Sequence, residues 1–179
     1  MPGLRKLSQR ISEGDGIAII VCVDDVDAAR DAEREGAKAL AVTRAIEGIR
    51  DATTLPLLWI GDGVPHDADA MTTRPEDDSS SSSLEIVVDV RDEEELELAL
   101  EQVDPEIFLL AAKEIDDDVD PLDAVLELLP DVPAGKLAIA RVDVASRDEV
   151  LALERAGIDA VLVPAGHVTD LVGHRPLDV

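Results

Sequence analysis

The chain has 179 residues, 41 of them acidic and 16 basic, which gives a formal net charge of −25 at neutral pH. A field of this sign disfavours nucleic acid as a partner, and the single cysteine, Cys22, excludes a disulfide or a thiolate metal cluster within one chain. No stretch approaches the ~20 apolar residues that span a bilayer. The composition therefore predicts a soluble, cytoplasmic protein with no nucleic-acid or membrane partner.

The type of charge is as informative as its size. Only four of the 16 basic residues are lysines, and the other 12 are arginines. An acid-rich, lysine-poor surface is typical of proteins kept soluble in concentrated salt, because molar salt screens self-repulsion over about 3 Å. An acidic patch that captures a basic partner would concentrate the acids, whereas here they are spread along the chain. We therefore expect a halophilic, salt-adapted protein.

The first third of the sequence alternates strand and helix patterns. Leu4, Leu7 and Ile11 indicate a short amphipathic N-terminal helix, and Asp25 or Asp27 can cap the helix after the first apolar run. The continuous apolar runs are typical of strands buried on both faces. In chain order the pattern predicts strands over 16–24, 38–43 and 55–61, and helices over 25–37 and 44–54.

This alternation stops at residues 62–83. The segment has no helical periodicity and ends in a five-serine run, Ser79 to Ser83, so it is predicted to be a solvated loop. Within it, residues 68–73 read ADAMTT and can form a short fourth strand. The chain then has eight strands if this segment pairs and seven if it does not.

Regular alternation resumes at residue 84 and continues to residue 164. Pro121 is suited to the first turn of a helix, and Ser146 to an N-cap followed by acidic residues. The predicted strands cover 84–90, 105–112, 136–142 and 159–164, and the predicted helices cover 91–103, 121–130 and 146–157. Alternating elements of this size predict βαβ units and a parallel sheet in one α/β domain over residues 1–179.

The segments LEIVVDVRDEEELELAL, PEIFLLAAKEI and KLAIARVDVASRDEVLALERAGIDAVLVPAG, within residues 84–166, resemble the second half of indole-3-glycerol phosphate synthase. That family is a ribulose-phosphate-binding barrel of tryptophan biosynthesis, and the resemblance covers roughly residues 17 to 166. It implies a TIM-type β/α barrel, which typically needs ~250 residues. The barrel is therefore expected to be trimmed, with helices 3 and 4 reduced or absent and residues 62–83 as a loop around a short fourth strand. The alternative fold is an open sheet that resembles a receiver domain, with Asp24 and Asp25 at the end of its first strand. That fold has five strands, fewer than the seven or eight predicted here, so the barrel is preferred.

The resemblance also implies that most of the synthase chemistry has been lost. The family's first-strand Glu-x-Lys falls on Ile19 and Val21, and its third-strand lysine falls near Ile60. On the fifth strand the family's Glu corresponds to Asp89, and after the sixth strand a basic residue is kept as Lys113. These two residues are the expected remnants of the catalytic groups, and no catalytic residue is assigned with confidence.

The resemblance places five ligand-binding candidates at the mouth of the barrel. The family's seventh-strand Glu is replaced by Arg141, and the last two strand ends, where the family binds phosphate, carry Asp143 and Gly166. The side chains at this mouth, Asp89, Lys113, Arg141 and Asp143, form either a polar site for a small phosphorylated ligand or ion pairs that neutralise one another. No cofactor is implied.

Two function hypotheses follow from the resemblance. The first is a non-catalytic homologue of indole-3-glycerol phosphate synthase, a pseudoenzyme that acts as a binding or interaction protein. The alternative is an active indole-3-glycerol phosphate synthase, or a related phospho-sugar carboxy-lyase, with Asp89 and Lys113 as its acid/base pair. A metal is not expected, because Asp62, His66, Asp67 and Asp69 match no known metal-ligand spacing.

Loss of two neighbouring helices has a consequence for assembly. Barrel strands normally bury their outer faces beneath helices, so apolar sheet around Leu57 and Trp59 is expected to be exposed. We therefore expect a homodimer, or a protein partner, at this flank.

Overall fold

Eight parallel strands form a closed barrel in the computed structural model, which describes residues 7–13, 16–61, 63–77, 83–112, 118, 120–144, 146–166, 168 and 171. Each strand pairs with the next along the chain, and pairing of the first with the eighth closes the ring. The α/β class and the parallel sheet are thus confirmed. The strands are β1 (Ala18–Cys22), β2 (Ala39–Val42), β3 (Leu57–Trp59), β4 (Ala70–Thr73), β5 (Glu85–Val90), β6 (Ile107–Ala111), β7 (Leu137–Arg141) and β8 (Ala160–Pro164).

Helices connect most of the strands. Asp25, not Asp27, caps the first connecting helix by accepting a hydrogen bond from Ala28 N (2.7 Å), and Ser146 caps the last by accepting one from Glu149 N (3.4 Å). These caps satisfy donors that a helix start leaves unpaired. The helices are α1 (Leu7–Ser12), α2 (Val26–Glu35), α3 (Ile49–Ala52), α4 (Glu93–Gln102), α5 (Pro121–Leu128) and α6 (Arg147–Ala156), with a 3-10 turn at Leu129–Asp131.

The helix predicted over 44–54 is mostly wrong, because only the four residues of α3 are helical. Gly48, immediately before α3, has φ of +81°, a left-handed conformation that interrupts a right-handed helix and that glycine adopts most easily. The apolar spacing around Ile46 and Ile49 was helical, but the backbone before Gly48 runs as bends and turns.

β4 completes the ring although it has only four residues. It forms two residue pairs with β3 and four with β5. Its start is held by Asp69, whose Oδ2 accepts from Leu57 N and contacts Arg50 Nη1, both at 2.9 Å. No helix occurs in the described parts of its two flanking connections, residues 60–61, 63–69, 74–77 and 83–84. The expected fourth strand at 68–73 is therefore present, and it closes the barrel.

The prediction that apolar sheet is exposed around Leu57 and Trp59 is wrong. Leu57 has no exposed surface and Trp59 is 5% exposed. Ile49 of α3 belongs to the same apolar cluster, and Ala68 and Met71 pack against that cluster, so a one-turn helix and a loop cover what a longer helix would otherwise cover. Leu57 and Trp59 thus offer almost no exposed apolar surface, and a homodimer or protein partner at this flank stays a prediction without that support.

The apolar core has two layers, as strand alternation requires. Outward-facing strand residues pack against helices, while inward-facing residues such as Ile20, Leu58, Leu109 and Ile139 fill the barrel. None of the helices formed by the described residues has an apolar stretch sufficient to traverse a lipid bilayer.

α1 closes the N-terminal end of the barrel. Its Leu7 and Ile11 are buried and belong to the same cluster as the inward-facing strand residues. The Glu85 carboxylate, at the start of β5, accepts hydrogen bonds from Leu7 N, Ser8 N and the Ser8 hydroxyl. An anionic acceptor at a helix N-terminus satisfies unpaired donors and complements the helix dipole. Glu85 therefore links the barrel wall to the helix that plugs it.

The substitution Glu85→Gln tests this link. It removes the charge but keeps the side-chain shape, so we expect the free energy of unfolding to fall by about 1–2 kcal/mol, measured by urea denaturation in molar potassium chloride. Glu97→Gln, an exposed position in the middle of α4, is the control and should change stability by less than ~0.5 kcal/mol. Equal effects of the two substitutions would contradict the role assigned to Glu85.

Candidate functional site

The C-terminal ends of the strands meet at one end of the barrel, opposite α1, and we call this end the mouth. Side chains alternate along a strand, and Val87 and Ile139 lie inside the barrel. Asp89 and Arg141, two residues further along β5 and β7, therefore also face inward. Parallel barrels gather side chains from all strands at this end, which makes it the usual position of a binding site.

The first strand corrects one expectation. Ile19 and Val21 belong to the outer apolar layer, whereas Ala18 and Ile20 belong to the interior. Ile19 and Val21 therefore cannot be the positions of inward-facing catalytic groups. The inward-facing residue at the mouth end of β1 is Cys22, which packs partly against the interior cluster.

Asp89 is the buried charged group of the mouth. It is 7% exposed, and its Oδ2 lies 3.8 Å from both Arg74 Nη1 and Arg91 Nη2. These separations are ion-pair distances but are too long for hydrogen bonds. Arg74 follows β4 directly and Arg91 follows β5 directly, so the closure of the ring by β4 is what brings the first arginine to Asp89.

Glu95, in the first turn of α4, holds both arginines in place. Its Oε1 contacts Arg74 Nη2 at 2.5 Å, and its Oε2 accepts from the backbone N–H of Arg91 at 2.7 Å. Asp92 caps α4 by accepting from Glu95 N at 2.8 Å, which fixes the helix start that carries Glu95. The sequence RDEEE, residues 91–95, thus supplies both the N-cap of α4, Asp92, and the carboxylate that contacts Arg74, Glu95.

Three buried polar atoms in this group have no hydrogen-bond partner. They are Asp89 Oδ1, Arg74 Nη1 and Arg91 Nε. A buried polar atom without a partner typically costs about 1–3 kcal/mol, so native structures rarely leave several together. One acceptor and two donors, close to one another, are what a small polar ligand would complete.

The opposite side of the mouth carries a partly buried thiol. Burial raises the pKa of Cys22, the charge of Asp24 raises it further, and the guanidinium of Arg141 lowers it. Nearby, Arg44 Nη2 donates to the backbone oxygen of Asp24 at 3.0 Å. A raised pKa keeps Cys22 protonated at neutral pH, which makes it a poor nucleophile.

The remaining ligand-binding candidates lie at or just beyond strand ends. Arg141 and Asp143 are exposed at the end of β7, and Gly166 is exposed beyond β8. Gly166 has φ of +116°, and a Cβ built there would meet no atom within 4 Å, so its backbone conformation, and not a close approach, explains the glycine. Lys113 lies outside the described residues.

Sequence reasoning found Asp89 but missed its two cation partners, Arg74 and Arg91. A usable signal was present, because Arg44, Arg74, Arg91 and Arg141 all lie within two residues of the C-terminal end of a strand or form its last residue. In a chain with a net charge of −25, arginines at four strand ends are a local reversal of charge. Recognising that Arg74 meets Asp89 required knowing that β4 pairs with β5.

The acid and histidine cluster after β3 does not form one group. His66 Nε2 lies 3.3 Å from Asp67 Oδ2, both at the surface, while Asp69 is engaged by Arg50. Asp62 lies outside the described residues. Among the residues that are described, no three His, Cys, Asp or Glu side chains are arranged to hold a metal ion.

Two open cavities of about 610 and 410 Å³ lie at the N-terminal end beside α1. The larger is bordered by Ser8, Glu106 and Lys136. The smaller cavity is bordered by Asp159. Burial raises the pKa of Asp159 above its ordinary value, and the hydrogen bond from Ala138 N partly opposes this rise. None of their lining residues is among those with a buried, unpartnered polar atom. The mouth is therefore the stronger candidate for a ligand site.

Comparison with protein-family models finds no match to this chain, and comparison with curated proteins also finds none. The function is therefore inferred from the geometry of the mouth.

The single cysteine provides a test of the electrostatics at the mouth. Asp24→Asn should lower the pKa of Cys22 and speed its alkylation by iodoacetamide at pH 8, because the thiolate is the reacting form. Arg141→Gln should raise the pKa and slow the reaction. Asp27→Asn, whose native side chain is 90% exposed on α2, is the matched control. The same alkylation rate in all four proteins would contradict the placement of Cys22 between Asp24 and Arg141.

Proposed function

We propose that the protein is a non-catalytic homologue of indole-3-glycerol phosphate synthase, with a trimmed TIM-type barrel, that binds a small ligand at its mouth in a salt-adapted cytoplasm. The observation that carries the proposal is the group around Asp89. A buried carboxylate lies between two arginines, and unpartnered atoms of all three side chains are buried together.

The lack of synthase activity is supported by the inward-facing positions at the strand ends. Acid–base catalysis needs proton-transfer groups within hydrogen-bond reach of the substrate. Ile60 occupies the interior where the resemblance would require a lysine, and Ala111 and Leu162 are apolar. Cys22 is protonated because its pKa is raised. Each missing group typically contributes about 10²–10⁴-fold to the rate, so their joint loss removes the basis for turnover.

Ligand binding is supported by the incomplete hydrogen bonding of the mouth. If the arginines served only to neutralise Asp89, direct hydrogen bonds would be expected, because charged pairs are strongest at about 2.7–2.9 Å. The observed separations of 3.8 Å leave donor and acceptor capacity unused. The single close contact between Arg74 Nη2 and Glu95 Oε1 shows that the same local structure does form close ion pairs elsewhere.

The alternative is an active synthase or a related phospho-sugar lyase. Asp89 favours it, since this carboxylate does face the interior at the position that the resemblance assigns to a catalytic Glu. The expected phosphate site receives less support, because the exposed Asp143 carboxylate at the end of β7 would repel a phosphate. If the protein is an active synthase or lyase, Asp89 and Lys113 form its acid/base pair.

The two proposals predict different results in one assay. The protein is incubated with carboxyphenylamino-deoxyribulose phosphate in molar potassium chloride, and indole fluorescence is followed. We expect no signal above the enzyme-free control, while an active synthase added to the same buffer verifies the assay. Turnover by the wild type that Asp89→Asn abolishes would contradict the non-catalytic proposal.

A further inference from the structure

The unpartnered atoms at the mouth also define the chemistry of the ligand. Two are guanidinium N–H donors, Arg74 Nη1 and Arg91 Nε, and the third is a carboxylate acceptor, Asp89 Oδ1. A ligand that satisfies all three must offer an acceptor to the arginines and a donor to Asp89. Because Asp89 Oδ2 lies only 3.8 Å from each guanidinium, these two ligand groups must be close together.

The charge of the group limits the ligand further. Arg74 and Arg91 carry two positive charges, and Asp89 and Glu95 carry two negative charges, so these four side chains are neutral together. Glu76 lies 3.9 Å from Arg74 Nε, but its side chain is 61% exposed and its charge is screened by solvent. The Asp89 and Glu95 side chains are 11% and 22% exposed, which makes an added net charge costly. The dianionic phosphoryl group of a phosphate monoester would bring negative charge to Asp89 and would offer Oδ1 no donor. The chain's net charge of −25 also repels anions at long range.

We infer that the mouth binds a small zwitterion of the α-amino acid type. Its carboxylate accepts from Arg74 and Arg91, and its ammonium group donates to Asp89. An α-amino acid carries both groups on one carbon atom, which suits the short distance between the carboxylate and the two guanidiniums. A zwitterion also leaves the neutral cluster neutral. This inference rests on the proposed function, because it specifies the ligand of the same site.

The residues around the group have a supporting role. Glu95 fixes the Arg74 guanidinium through Nη2, which leaves Nη1 directed at Asp89. The backbone N–H of Arg91 is bound to Glu95, which holds the start of that side chain. A preorganised pair of arginines loses less side-chain entropy on binding a carboxylate than two free side chains would. The side chain of the amino acid would extend toward the open mouth.

The test is thermal unfolding of the full chain in molar potassium chloride with each of the twenty common amino acids at millimolar concentration. We expect at least one to raise the unfolding midpoint, by about 5–10 °C at a 100-fold excess over its Kd. Three analogues of that amino acid should each give a much smaller shift. They are the hydroxy acid, the carboxylic acid that lacks the amine, and the amine that lacks the carboxylate. Isothermal titration calorimetry with that amino acid is a second readout that does not depend on stability.

Variants assign the effect to the mouth. Asp89→Asn and Arg91→Gln should each abolish the shift and the calorimetric binding signal, whereas Asp27→Asn on exposed α2 should retain both. If Asp89→Asn fails to fold, Arg91→Gln provides the test. Among the described residues, this substitution removes one side-chain ion pair, the 3.8 Å pair with Asp89. A shift that persists in folded variants of both kinds would overturn the inference.

Failure of the inference and failure of the proposed function give different results. If inorganic phosphate, ribulose 5-phosphate or a hydroxy acid binds in an Asp89- or Arg91-dependent manner while no amino acid does, the zwitterion is wrong and the binding function stands. If no compound of any of these classes binds, both are overturned.

Discussion

Closure of the strand ring through the four residues of β4 is the constraint on which the rest of the structure depends. β4 has no helix among the described residues on either side, and it pairs with β3 through only two residue pairs. Asp69 compensates, because its carboxylate binds both the backbone of Leu57 and the guanidinium of Arg50. A closed ring leaves no unpaired strand edge. It also brings Arg74, the residue after β4, to the carboxylate of Asp89 on β5.

Much of the scaffold was predictable because its signals are local. The apolar runs of β1, β5 and β6 and the caps at Asp25 and Ser146 are visible within a few residues of sequence, and these strands and the two capped helices were predicted within two residues of their observed bounds. The helix before β3 was overextended because apolar spacing alone cannot show that Gly48 takes a left-handed conformation. Whether residues 68–73 would pair could not be decided locally, since their partners lie on two other strands.

The site was only half predictable for the same reason. The family resemblance pointed to Asp89, but its partners Arg74 and Arg91 become neighbours only through strand pairing. The covering of Trp59 by loop residues and α3 was likewise a tertiary effect that strand and helix counts could not show. Burial, and not sequence spacing, also revealed which polar atoms of the mouth lack partners, and these atoms carry the functional proposal.

The claim that β4 closes the ring and delivers Arg74 to the mouth is tested most directly by a double-mutant cycle. Arg74 and Glu95 lie 21 residues apart and meet only if β4 lies beside β5 with α4 above it. Arg74→Gln, Glu95→Gln and the double variant are compared by their free energies of unfolding in molar potassium chloride. Because both side chains are partly exposed, we expect a coupling energy of about 0.5–1 kcal/mol. Additivity within ~0.3 kcal/mol would contradict the Arg74–Glu95 contact and with it the delivery of Arg74 to the mouth by β4.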